Sequence, residues 1–156
     1  GIIQVKQNIK TDTSSFEGST GNFSGNISGL TETITTQSAS SQVLIILHTN
    51  LSTTEGQRCT FRILRGSTVL SVGDASSSVI RGIFPSICPS DNNSRSVICS
   101  MMIIDSPGSA ATHTYNVQGQ GESSAGTVNI NRTKGNNTSD TYHAGISSIT
   151  LMELGG

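Results

Sequence analysis

Charge is what this sequence has least of. Lys and Arg number 9 and Asp and Glu 10, together 12% of 156 residues, where a typical globular chain carries about 25%. With a net charge of −1 and a pI near 6.3, there is no clustered Lys/Arg for a phosphate backbone or an acidic bilayer, so neither nucleic acid nor a membrane is an expected partner. Trp is absent and the aromatics are 4 Phe and 2 Tyr, which leaves little for the flat aromatic platform common in saccharide sites. No apolar run approaches the ~18–20 residues of a membrane-spanning helix. Nor does a basic stretch followed by a hydrophobic segment open the chain, so no secretion signal is expected. Cysteines are few and odd in number: Cys59, Cys88 and Cys99 have no C-x-x-C spacing and match neither a disulfide framework nor a zinc site. They read as reduced, small core or interface residues, with a Cys88–Cys99 bridge across one loop as the alternative.

What fills the space is Ser, Thr, Asn, Gln and Gly. Apolar residues are 33% of the chain, or about 44% with glycine counted, close to the globular norm, so a single domain with an ordinary core is expected. Sequons at Asn22, Asn26, Asn50, Asn92, Asn131, Asn136 and Asn137 are read as chance products of this composition.

No stretch has a capped 3.6-residue apolar period, whereas β-branched runs recur between Gly/Ser/Asn clusters, so the chain reads as all-β. "IIQVKQNIK" alternates, which predicts Ile3, Val5 and Ile9 inside and Gln4, Lys6, Asn8 and Lys10 outside. The stretch from Thr11 to Gly29 carries mainly turn formers, with Phe16, Phe23 and Ile27 as isolated anchors, and "LTETITT" then offers Leu30 and Ile34 to the core. "RCTFRILRGSTVL" predicts a hairpin turning at Arg65-Gly66-Ser67. A short edge strand is expected near Val79–Phe84, before the interruptions of Pro85 and Pro89. Pro107-Gly108 suits the centre of a type II turn, and "GTVNINRT" places Val128 and Ile130 inside. The total is eight or nine strands in an antiparallel, jelly-roll-like β-sandwich.

Three runs are apolar on both faces. Val43, Ile45 and Leu47 alternate with Leu44 and Ile46; Val97, Cys99, Met101 and Ile103 with Ile98, Met102 and Ile104; Ile149 and Leu151 with Met152 and Leu154. In a sandwich one face of each strand meets the core, and no helix is available to cover the other. A further copy of the chain is the simplest cover, in a cyclic trimer or dimer. The residues shared between core and assembly interface are therefore expected to be Leu44, Ile46, Met102, Ile104, Ile149, Leu151 and Met152.

"IIQVKQNIKTDT", "DSPGSAATHTYNVQ", "GTVNINRT" and the closing "SSITLMEL", in that order and spacing from Ile2 to Leu154, resemble the C-terminal knob domains of bacteriophage tail fibres, of the kind common in marine and cyanobacterial phages. "EGSTGNFSGNISG" and "SICPSDNNSRSVICS" depart from that pattern, and both are loop-like, where binding specificity varies. The resemblance implies a homotrimeric β-sandwich at the fibre tip of the virion, acting outside the cell in adsorption to a host-surface glycan or protein. It implies no catalytic residue and no cofactor.

The residues themselves agree with a binding role. No HExxH and no Gly-x-Ser-x-Gly occurs. His48 lies on a two-sided strand and reads as packed or interfacial, His113 and His143 as surface groups, and the Asp residues are scattered rather than set in a calcium-loop series. No metal site is expected. Polar loop residues that could meet a receptor are Asn92, Asn93, Arg95, Arg132, Asn136, Asn137, Asp140 and Tyr142; Tyr142 either offers its ring to a ligand or packs it on the adjacent strand. The competing functions are a structural trimerisation or decoration domain of a fibre, a C1q- or tumour-necrosis-factor-like binding module, and, last, a polysaccharide depolymerase.

Overall fold

The computed structural model describes residues 1–54, 56–89, 95–135, 140 and 142–155. Among these there are ten strands and no helix: β1 (Ile2–Lys10), β2 (Ser14–Glu17), β3 (Asn26–Thr35), β4 (Gln42–Thr53), β5 (Cys59–Arg65), β6 (Thr68–Leu70), β7 (Val97–Asp105), β8 (Thr112–Gly121), β9 (Thr127–Ile130) and β10 (Ser147–Leu154). They form two antiparallel sheets, one of six strands and one ordered β3-β8-β5-β6. The chain is all-β and sandwich-like, as its alternation predicts.

The 12-residue β4 organises the larger sheet. One edge pairs with β7 from Val43 to Leu51. The other edge is shared by two shorter strands set end to end, β10 against Gln42–His48 and β9 against Leu51–Thr53. β1 and β2 continue that division one strand further out. The junction is stitched by Asn131, held at φ 63°. Its Nδ2 donates to the carbonyls of Lys10 (2.8 Å) and Asp12 (2.9 Å), and its Oδ1 accepts from Ser147 Oγ (2.7 Å). Asn tolerates the left-handed conformation better than most residues, and here its amide also satisfies backbone that the broken ladder leaves unpaired.

The inner faces of both sheets supply one core. Leu30, Ile34, Ile45, Leu47, Phe61, Ile63, Tyr115, Val117, Val128, Ile130, Ile149 and Leu151 are all essentially solvent-free; each large aliphatic or aromatic side chain so buried contributes about 1.5–3 kcal/mol. The two sheets are also tied by a polar bridge. Asp105, at the end of β7, accepts two bonds from Arg65 Nη1 (2.7 and 2.6 Å) and one from Tyr115 Oη (2.7 Å). The buried carboxylate thus has a cation and a neutral donor.

Most of the predicted details hold: the β5–β6 hairpin, the positive φ of 75° at Gly108, and the inward Leu30, Ile34, Val128 and Ile130. β1 is inverted. Ile3, Val5 and Ile9 face outward, 40%, 52% and 49% exposed, while Gln4, Asn8 and Lys10 turn toward β3. The reason is that β3 is an edge strand of its sheet. Gln4 Nε2 donates to Thr35 O (2.7 Å) and Asn8 Nδ2 to Thr31 O (2.9 Å), so amides close the seam where a ladder partner is missing. Lys10, 1% exposed, lays its stem beneath Gly29 and reaches Asp12 with Nζ at 2.9 Å. Gly29 has φ 82°, and an added Cβ would stand 3.2 Å from Lys10 Cγ, so glycine answers both a backbone and a space requirement.

Two other expectations change. Val79–Phe84 is not a strand; the chain runs beside β5 irregularly, with Ile83 N–H on Phe61 O (2.8 Å) and Cys59 and Ile87 exchanging bonds. β2 forms inside the turn-rich stretch because the Phe16 ring seats on Gly119, where no Cβ stands in its way. The cysteines match their reading as reduced: all three are free thiols, and the alternative Cys88–Cys99 bridge is absent.

Candidate functional site

Two surfaces stand out, one on the outside of each sheet. On the larger sheet the outward positions of β1, β10, β4 and β7 line up in rows. Val5, Met152, Leu44 and Ile104 make one; Gln7, Thr150, Ile46 and Met102 the next; Ile9, Ser148, His48 and Ser100 a third. At about 4.8 Å between strands each row spans roughly 14 Å. None of these twelve positions is Asp, Glu, Lys or Arg. Met102 is 62% exposed and Ile104 52%; Leu44, Ile46 and Met152 are half-buried by their neighbours alone. Four of the five polar members are paired within the surface, Gln7 Nε2 to Thr150 Oγ1 and His48 Nδ1 with Ser100 Oγ, both 2.9 Å. An outward sheet face this apolar, with most of its polar side chains already paired, has the make-up of an interaction surface.

The proposed interface residues divide accordingly. Leu44, Ile46, Met102, Ile104 and Met152 lie on this outer face, whereas Ile149 and Leu151 are fully buried in the subunit's own core. β10 packs between β1 and β4 and is therefore an interior strand. Val5 and Ile9 belong to the face too, a membership hidden by the inversion of β1.

The second surface is a cleft of about 480 Å³ over β5 and β8. Its floor holds Thr60 and Gln120, one wall Thr20 and Gly21, and the other Ile80, Phe84 and Pro85. At its mouth Arg58 Nη1 meets Glu122 Oε1 at 2.9 Å, both side chains largely in water. Alongside, the Arg62 guanidinium lies 4.0 Å from the Phe23 ring centre and donates twice to Gln118 Oε1. The cleft opens at the end of the molecule where the connections after Glu17, Thr53 and Gly121 meet. Gly1 and Gly155, joined by a 2.8 Å hydrogen bond, occupy the opposite end. Composition gave no sign of this cleft, because its walls come from segments read as turn formers and as an edge strand.

The polar loop candidates are not gathered at one place. Arg95, exposed, precedes β7 on one edge of β4, while Arg132, Asp140 and Tyr142 belong to the β9–β10 connection on the other edge. Arg132 is half-buried and donates from Nη2 to Asn129 Oδ1 at 2.7 Å, which makes it part of the framework. Tyr142 is half-buried with its ring against Gly135. Asp140 is exposed. Asn92, Asn93, Asn136 and Asn137 lie outside the described residues.

Among the described residues no three His, Cys, Asp or Glu side chains gather as a metal site. Burial pushes the Cys59 thiol up to about 12 and raises that of Cys99, which makes both poor nucleophiles. His113 Nε2 lies 3.2 Å from Ser109 O.

No protein-family model matches the chain, and no curated protein matches it.

Proposed function

We propose that this chain is the receptor-binding tip of a bacteriophage tail fibre, assembled as a homotrimer through the outer face of the larger sheet. The observation that carries the reading is the charge-free face of β1, β10, β4 and β7, with Met102, Ile104 and Val5 more than half exposed in the single chain. Packing three such faces around an axis removes them from water and leaves the polar surfaces outside. The end bearing the cleft then points away from Gly1 and toward the host. Three linked copies convert weak single contacts into firm attachment when their spacing matches the receptor array. The segments that carry the resemblance to fibre knobs are framework in this fold: Asp105 holds the bridge between sheets, Asn131 stitches the broken strands, and β10 is an interior strand. They support the architecture, and the host-reading residues lie elsewhere.

Light scattering of the purified protein tests the assembly, and adsorption to a panel of marine and cyanobacterial strains tests the function. A trimer that adsorbs to a subset of strains is the expected result. A monodisperse monomer rules out the assembly, and a trimer that adsorbs to no strain would make the domain a structural cap.

A further inference from the structure

We infer that the cleft between Arg58, Glu122 and the Ile80–Pro85 wall binds one unit of a neutral saccharide. The inference rests on the receptor-binding reading for its biological setting and on the cleft alone for its chemistry.

The volume, about 480 Å³, is in the range of small-ligand sites. Its chemistry is two-sided. Ile80, Phe84 and Pro85 present an apolar wall, while the Arg58–Glu122 pair presents donors and an acceptor at the mouth; Gln120, on the floor, already donates to Ser19 O and Gly121 O. A pyranose has the same division, with C–H groups on its faces and hydroxyls around its edge. Arg58 and Glu122 stand together at the mouth, so a pair of neighbouring hydroxyls can accept from the guanidinium and donate to the carboxylate at once. The lining also sets the charge of the ligand. Among the described residues its charged side chains are Arg58 and Glu122, which pair with each other, while Arg62 and Arg81 lie outside it and keep their charge against neutral partners, Gln118 Oε1 and Gly73 O. An anionic ligand in the cleft would meet Glu122 with the cation beside it already paired. An extended peptide is disfavoured for a different reason. The free edge of β5 near the cleft is already taken by Ile83 and Ile87, which closes the backbone route by which peptides add to sheets.

The pair is also positioned by backbone. Glu122 N–H donates to Arg58 O at 2.9 Å, so the two side chains spring from facing positions and need little ordering when ligand arrives. Val79, 63% exposed at the rim, is a large apolar group that the fold does not bury, and it sits where a bound ring would cover it.

The test is amide-resolved NMR of the intact protein titrated with millimolar glucose, galactose, mannose, rhamnose and N-acetylglucosamine, with glucuronate as the charged counterpart. The expected result is that at least one neutral sugar moves the resonances of Arg58, Thr60, Ile80 and Glu122, and that glucuronate does so more weakly. Glu122→Gln removes a charge-assisted acceptor and should weaken that sugar about tenfold. Val79→Asp should do the same while leaving the melting temperature within a degree or two of the parent. No cleft resonance moving with any neutral sugar, shifts confined to the β9–β10 connection, or unchanged affinity in both variants would each overturn the inference. Adsorption to cells separates it from the broader reading: cleft shifts without adsorption keep the saccharide site and remove the fibre-tip role, and adsorption without cleft shifts does the reverse.

Discussion

Met102→Asp is the substitution that separates fold from assembly. Met102 is on the outer face of the edge strand β7, beside Ile46, and 62% of it remains in water in the single chain. Complete burial of a side chain this size is worth about 1.5–3 kcal/mol. The exposed 62% therefore corresponds to about 1–2 kcal/mol per subunit gained only on association. Asp forfeits that gain and adds the desolvation of an unpaired carboxylate, several kcal/mol more. Both terms occur in every subunit, so a trimer loses roughly 10 kcal/mol or more, comparable with the whole free energy of a micromolar to nanomolar association. The folded subunit loses almost nothing, because an exposed strand position accepts Asp at a cost of about 1 kcal/mol or less. Size-exclusion chromatography with light scattering should find the parent at three times the chain mass and the variant at one, while far-ultraviolet circular dichroism keeps its β signature. Leu151→Asp, at a fully buried position, should instead abolish folding and yield no soluble monomer. A Met102→Asp protein that stays trimeric at micromolar concentration would place the interface on another surface.

Three further outcomes follow from single contacts. Tyr115→Phe deletes a 2.7 Å bond to the buried Asp105 carboxylate and should lower stability by about 1.5–3 kcal/mol in urea unfolding; no measurable change would mean the bridge to Arg65 alone satisfies Asp105. Glu153 is held below the ordinary glutamate range by the Gln4 amide (2.6 Å) and then by the Gln37 N–H (2.6 Å). Its folded-state value is the lower one, so its stabilisation is present above the unfolded glutamate range and is lost as pH falls through the folded value. The melting temperature should accordingly drop more steeply on acidification in the parent than in Glu153→Gln, and parallel curves would exclude Glu153 as a source of the acid sensitivity. Alkylation of the native protein at neutral pH should modify the exposed Cys88 first and leave the buried Cys59 untouched until denaturant is added; peptide mapping that finds Cys59 labelled early would contradict its burial.

The two-sided strands were legible in the sequence because both of their alternating sets are apolar, so no choice of register makes either face polar. β1 was misread for the complementary reason. Its alternation is clean, but the usual rule equates the apolar set with the core, and here the polar set faces inward to cap the edge of β3 while the apolar set extends an outer surface. No local pattern reports which edge of another sheet a strand will lie beside. The cleft was invisible on the same grounds: Thr20, Arg58, Ile80 and Glu122 are spread over the chain and meet only through the pairing of β5 with β8 and the segment beside β5. Of the loop candidates, Arg132 was singled out by residue type, and that type serves Asn129 within the framework.

The closure at the neck of the β9–β10 connection has an evolutionary consequence. Gly145 N–H returns to Asn131 O at 3.1 Å and Ser147 Oγ to Asn131 Oδ1 at 2.7 Å, so the chain leaves the sheet and re-enters it at a single fixed point. Closure of this kind depends weakly on the length between its ends, since doubling a loop adds only about 0.6 kcal/mol of closure entropy. A lineage under pressure to alter its surface can therefore lengthen the connection beyond Arg132 and Thr133, which stay tied into or buried against the framework, while Asn131 and Ser147 keep the socket intact.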